Sequence, residues 1–152
     1  MSYVAQEARQ ELLDEIAVAI DELGAGLAAL GDAYEGLDEQ SGDRLEEEVF
    51  RPAQAAYGRA KRTHADFATR HGLPGRTFGA AAAGRPSTGV KGFLEAAADD
   101  IAAADATLAD LQDSLRPVGI GDPELRAGLG EVRTLLGQLV TRAEQAIGRF
   151  GR

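Results

Sequence analysis

The chain reads as an all-α protein, an antiparallel four-helix bundle, on three observations. Three long segments carry apolar residues at alternating steps of three and four, the period of a helix that faces other helices. The breaks between segments are two short turns and one long stretch rich in Gly and Pro. No run alternates apolar and polar residues as a half-buried strand would. With 152 residues the chain has the size of one domain, 1–152. Aromatic residues make up 5% and Trp is absent, so the core falls to Leu, Ile, Val and Ala.

In the first helix, expected over about 3–36, the stripe is Leu13, Ile16, Ile20, Leu23, Leu27, Leu30, Tyr34 and Leu37. Ala17, Gly24 and Gly31 lie beside it at intervals of seven, where a neighbouring helix could approach closely. The second helix, expected over 43–71, opens on Asp43 and Glu46 at capping-box spacing, with Glu46, Glu47 and Glu48 favoured by the helix dipole. Its stripe is thin: Val49, Ala53, Ala56, Ala60, Thr63 and Phe67. Pro52 removes the hydrogen bond to the Glu48 carbonyl, which predicts a kink or restart there.

A long loop is expected over 72–87, punctuated by Gly72, Pro74, Gly75, Gly79, Gly84 and Pro86, and it could climb alongside the bundle or cross it. The third helix, 88–116, carries Val90, Leu94, Ala97, Ile101, Ala104, Leu108, Leu111 and Leu115, and Pro117 stops it. The fourth, 122–150, starts on Asp122 as N-cap with Pro123 at the first helical position. Leu125, Leu129, Val132, Leu136, Leu139, Ala143, Ala146 and Phe150 form its inner face.

Charge is strongly segregated. The net charge is −9, yet residues 51–91 hold eight of the 16 Lys and Arg against one acid, Asp66. Residues 1–50 carry fourteen acids against Arg9 and Arg44. A short turn makes the first two helices antiparallel neighbours, so Arg51, Arg59, Lys61, Arg62 and Arg70 are expected to pair with acids of the first helix. Arg76, Arg85 and Lys91 fall outside that account. Together with Ser87 or Thr88 at a helix start, whose free N–H groups attract anions, they form the candidate anion site.

Other constellations point away from chemistry. His64 and His71 are seven apart, in register with Phe50 and Tyr57, which puts their Cα atoms about 10.5 Å apart and suits a boundary stripe better than a shared metal. Neither is preceded by Glu at three residues, so the paired Glu-x-x-His of a di-metal bundle is missing. Glu95, Asp99 and Asp100, and Asp110 and Asp113, sit off the apolar stripe as a solvated face. Gly84–Lys91 lacks the Gly-Lys-Ser/Thr order of a phosphate loop. Ala53, Ala56, Ala60, Ala97 and Ala104 point to close helix approach rather than an apolar cavity.

With zero Cys there is no disulfide or thiolate site, and no apolar run spans a bilayer. No metal or cofactor is expected. Met1–Glu7 has no leader pattern, so the cytoplasm is the expected location, and the Arg- and Ala-rich composition suits a GC-rich bacterial genome. The sequence favours a non-catalytic protein over an enzyme, acting through a protein partner or as a homo-oligomer. A binding module for a small anion or anionic polymer at the basic loop is the alternative. Nucleic acid is not expected, given the overall acidity and missing binding motifs.

Overall fold

The computed structural model describes residues 3–79 and 89–151, all-helical with no strand among them. Helix α1 (Tyr3–Glu35) closes with Gly36 and Leu37 N–H groups on the Ala33 and Tyr34 carbonyls, both at 3.1 Å. Asp38 then adopts extended geometry and accepts from the Ser41 N–H at 2.8 Å, capping α2 (Glu39–Leu45). This corrects the expected start at Asp43. Two aspartates compete for the cap, and Asp38 wins because it directly follows the turn that ends α1.

The irregularity expected at Pro52 is a π-helical turn, Glu46–Phe50, after which α3 runs over Arg51–Arg70. The Arg51 N–H reaches back five residues to the Glu46 carbonyl. Proline cannot donate to Glu48, and the widened turn makes room for its ring. The freed Glu48 carbonyl accepts from Arg142 at 3.4 Å, while its carboxylate holds Arg149 at 2.7 and 2.9 Å. Val49, Ala53, Ala56, Ala60, Thr63 and Phe67 are all buried, as their spacing predicts. Gly72, at φ 64°, ends α3, with the Leu73 N–H on the Ala68 carbonyl at 2.8 Å.

Helix α4 covers Gly89–Asp113, ending before the expected 116, while the expected first residue, Thr88, lies outside the described residues. The chain breaks ahead of Pro117: Leu115 takes the left-handed conformation, φ 62°, at a cost of about 1–2 kcal/mol. A one-turn helix α5 (Arg116–Gly119) follows, with Pro117 buried in its first turn. Leu115 is therefore 67% exposed rather than a core residue, and Tyr34 is 40% exposed at the other limit of its stripe. Helix α6 (Pro123–Phe150) starts as expected, Asp122 accepting from the Leu125 N–H at 2.7 Å, and its whole predicted inner face is buried.

Four long helices pack so that α1 and α6 each contact both α3 and α4, most extensively α1 with α4. Each of these contacts is antiparallel. Glu22 accepts from Thr107 and Glu15 pairs with Arg116 across α1 and the α4–α5 region, while Arg59 pairs with Glu131 and Arg70 with Asp122 across α3 and α6. Gly26 lets α1 close on α4, its Cβ position lying 3.5 Å from the Ala97 carbonyl. Where Ile16, Ile20, Ala60, Leu108 and Val132 meet, the remaining void is only ≈ 10 Å³, so the small residues serve close approach. No helix among the described residues is long and apolar enough to cross a membrane.

Candidate functional site

The seam between α1 and α3 is built on a repeat of seven. Phe50 at the end of the π turn, Tyr57 and His64 of α3, and His71 at its C-cap follow one another, and Gly31, Gly24 and Ala17 step down α1 in the opposite sense. A Cβ on Gly24 would lie 3.4 Å from the Tyr57 ring, and one on Gly31 would lie 3.9 Å from that of Phe50. The rings thus sit where α1 has no side chain. At the far end the Gln6 amide donates to the His71 carbonyl at 3.1 Å.

Residues 73–79, the described start of the long connection, climb alongside this seam. From His71 to Tyr57 α3 rises about 21 Å, a span that eight near-extended residues cover with about 26 Å of reach. Along the way the Phe78 ring meets His64 edge-on at 5.2 Å. Arg76 lies over Phe78 at 4.7 Å and pairs with Asp21 of α1 at 2.9 Å. The Tyr57 hydroxyl donates to the Gly79 carbonyl at 3.5 Å.

His64 is 3% exposed, and its Nδ1 has no hydrogen-bond partner among the described residues. Burial first, then the Arg76 charge, push its pKa below the usual histidine range, against smaller opposing pulls from Asp14 and the Leu13 backbone. It is a neutral core residue under Phe78. An imidazole with a lowered folded pKa binds its proton more tightly in the unfolded chain. Its contribution is therefore complete above about pH 6.5 and falls as pH drops toward the folded value, by at most about 1.4 kcal/mol per pH unit. His64→Leu is expected to flatten this decline between pH 7.5 and 5.5 in urea midpoints; an unchanged decline would remove His64 as its source.

At the α3–α6 junction Asp122 gathers Arg70 through two hydrogen bonds of 2.8 Å, His71 Nε2 at 2.9 Å, and its own helix N-terminus. Burial alone would raise its pKa, but the bonds from Arg70, the Leu125 N–H and His71 outweigh this and hold the carboxyl well below the carboxylate range. Sequence reasoning found the cap and missed the cluster, because nothing in a linear reading brings Arg70 and His71 to Asp122.

The expected charge pairing is corrected. Arg59 and Arg70 are answered by Glu131 and Asp122 of α6, and Arg51 by Glu46 at 3.7 Å within its own segment. Lys61 lies over the Tyr57 ring at 4.4 Å, and Arg62 is exposed. Among the described residues of the basic block, Arg76, one of the three set apart, pairs with Asp21 of α1. Short connections dictate that α3 neighbours α1, but not which face carries its arginines.

Of the candidate anion residues, Arg85, Ser87 and Thr88 lie outside the described residues. Arg76 and Lys91 are not brought together: Arg76 sits level with Asp21, whereas Val90, beside Lys91, packs at Gly36. Those two levels are about 22 Å apart along α1. Glu95, Asp99, Asp110 and Asp113 are exposed, and no group of three or more acids or histidines among the described residues is placed to hold a metal.

The level of the seam beyond Tyr57 is that of Gly31 and Phe50. Gly31, Tyr34, Glu35, Glu46 and Phe50 line a groove of ≈ 340 Å³. Tyr34 lies against Gly42, whose Cβ position is 3.2 Å from the ring, so its body is anchored while its edge faces solvent. The missing side chain at Gly31 keeps the groove open. No known protein family, characterised protein sequence or solved structure matches the chain.

Proposed function

We propose that the chain is an antiparallel four-helix bundle without catalytic activity that works by contact with another protein, through the groove at the Gly31 level of the α1/α3 seam. The observation carrying this is the ≈ 340 Å³ groove under a 40% exposed tyrosine. A concave surface with an anchored aromatic at its rim is the kind of feature that carries binding energy at protein interfaces. The polar clusters elsewhere are already committed: Asp122 to Arg70, His71 and a helix end, and Arg76 to Asp21.

Photo-crosslinking in the native host tests the reading. p-Benzoylphenylalanine in place of Tyr34 is expected to give a discrete adduct, whereas the same group at Arg62, on the exposed face of α3, gives none. Adducts of equal yield from both positions would overturn the assignment of this face. A turnover abolished by changing His64 or Tyr57 would overturn the non-catalytic reading.

A further inference from the structure

We infer that the partner reaches this groove with an extended segment that places an arginine or lysine beside an apolar side chain. The inference rests on the contact reading above and names the chemistry of the partner. Its template lies within the chain. Over the closed levels of the seam, residues 73–79 supply an apolar ring, Phe78, against the α3 residue His64, and a cation, Arg76, to the α1 acid Asp21.

One level further, the receiving half of that arrangement recurs in its residue types. Phe50 forms the floor where Gly31 lacks a side chain, and Glu35 of α1 and Glu46 of the π turn line the groove with Tyr34. Residues 31–50 hold eight acids against Arg44. Glu48 is taken up by Arg149, and Arg51 approaches Glu46 only at 3.7 Å. A cation entering the groove meets the field of the remaining acids and the faces of two aromatic rings, both attractive. A carboxylate-bearing segment would be repelled, and a wholly apolar one would strip water from Glu35 and Glu46 without replacing it.

The test uses the full chain, isotope-labelled for NMR, with two probes: an acetylated Arg-Leu-Arg-Phe-Arg-Leu amide and its Glu-Leu-Glu-Phe-Glu-Leu counterpart. The basic peptide is expected to shift the amides of Gly31, Tyr34, Glu35, Glu46 and Phe50, and the acidic peptide to leave them in place. Gly31→Leu fills the groove without a clash, since the nearest atom to its Cβ is 3.9 Å away. It should keep the fold and weaken the basic peptide about tenfold or more, the loss of one buried side chain's contact. Joint Glu35→Gln and Glu46→Gln replacement should weaken it comparably, while Glu95→Gln with Asp99→Gln, on the exposed face of α4, should not.

Equal losses from the α4 pair, or unchanged binding in Gly31→Leu, would overturn the proposal as diffuse charge attraction. Groove amides that shift with protein concentration alone would make a second copy the occupant. Groove amides that shift in Arg85→Ala without peptide would make it the chain's own. Either result overturns the inference. A Tyr34 adduct with no response to the basic peptide sinks the partner chemistry and leaves the contact reading standing; absence of both sinks both.

Discussion

Asp122→Ala is expected to cost about 3 kcal/mol of stability, a fall in Tm of roughly 6–12 °C for a chain of this size. Loss of the N-cap accounts for about 1 kcal/mol. The remainder comes from the charge-assisted bonds to Arg70 and His71, each of order 1.5–3 kcal/mol when intact. That figure is discounted because the Arg70 side chain is 32% exposed and recovers water once released. Asp122→Asn keeps an acceptor for the Leu125 N–H and gives up most of the attraction to the Arg70 guanidinium, so about half the loss is expected.

The pH dependence fixes the origin of the effect. A carboxylate whose folded pKa is depressed contributes fully above its unfolded value near 4 and loses that contribution as pH falls toward the folded one. Urea unfolding of wild type and Asp122→Ala should therefore differ most at neutral pH and converge between pH 4 and 2. A difference that stayed constant across that range would assign the loss to packing instead.

Gly128→Ala is the second large effect, with an expected loss of about 2 kcal/mol. In an ordinary helix interior this change gains up to about 1 kcal/mol. Here the new Cβ would lie 2.7 Å from both Cγ2 and Oγ1 of Thr63. Thr63 is 4% exposed, β-branched, and held by its hydroxyl donating to the Arg59 carbonyl at 2.9 Å, so it cannot swing away. The helices must part instead, and overpacking of that kind costs about 1–3 kcal/mol before the disturbed Arg59 contact to Thr63 is included. Thr63→Ala in the same chain should restore most of the stability, giving a coupling of about 2 kcal/mol in a double-mutant cycle. A Gly128→Ala variant with a raised Tm would mean that α3 and α6 do not meet at Thr63.

The long helices were legible because burial follows a period: from Leu125 to Phe150 each predicted inner residue is inside. The same period misled at its limits. Leu115 continues the spacing of α4 beyond the point where Pro117 lets the helix continue, and Tyr34 continues that of α1 past its last covered turn. Asp43 resembles a cap as closely as Asp38 does, and only the position of the preceding turn decides between them. The seam was half visible. Glycines at intervals of seven on α1 and rings at intervals of seven on α3 are both plain in the sequence, but their matching depends on the pairing register, which is set in three dimensions. The groove could not be read at all, because Gly31 looks like Gly24 until Tyr34, Glu35 and Glu46 are seen to gather beside it.

A π turn holds one residue more than a continuous helix requires, and this gives Glu46–Phe50 a meaning for how the chain could vary in length. Deleting a residue there, together with Pro52→Ala, would restore α geometry and leave α3 in its seat against α6. It would also leave α2, with its row of acids, on the face it holds now, because the wide turn already absorbs the roughly 100° that one more residue adds to an α-helix. The π turn is in this sense an expansion joint. A single residue gained or lost there changes the length of the chain and leaves both the face around Tyr34 and the helix contacts below it where they are.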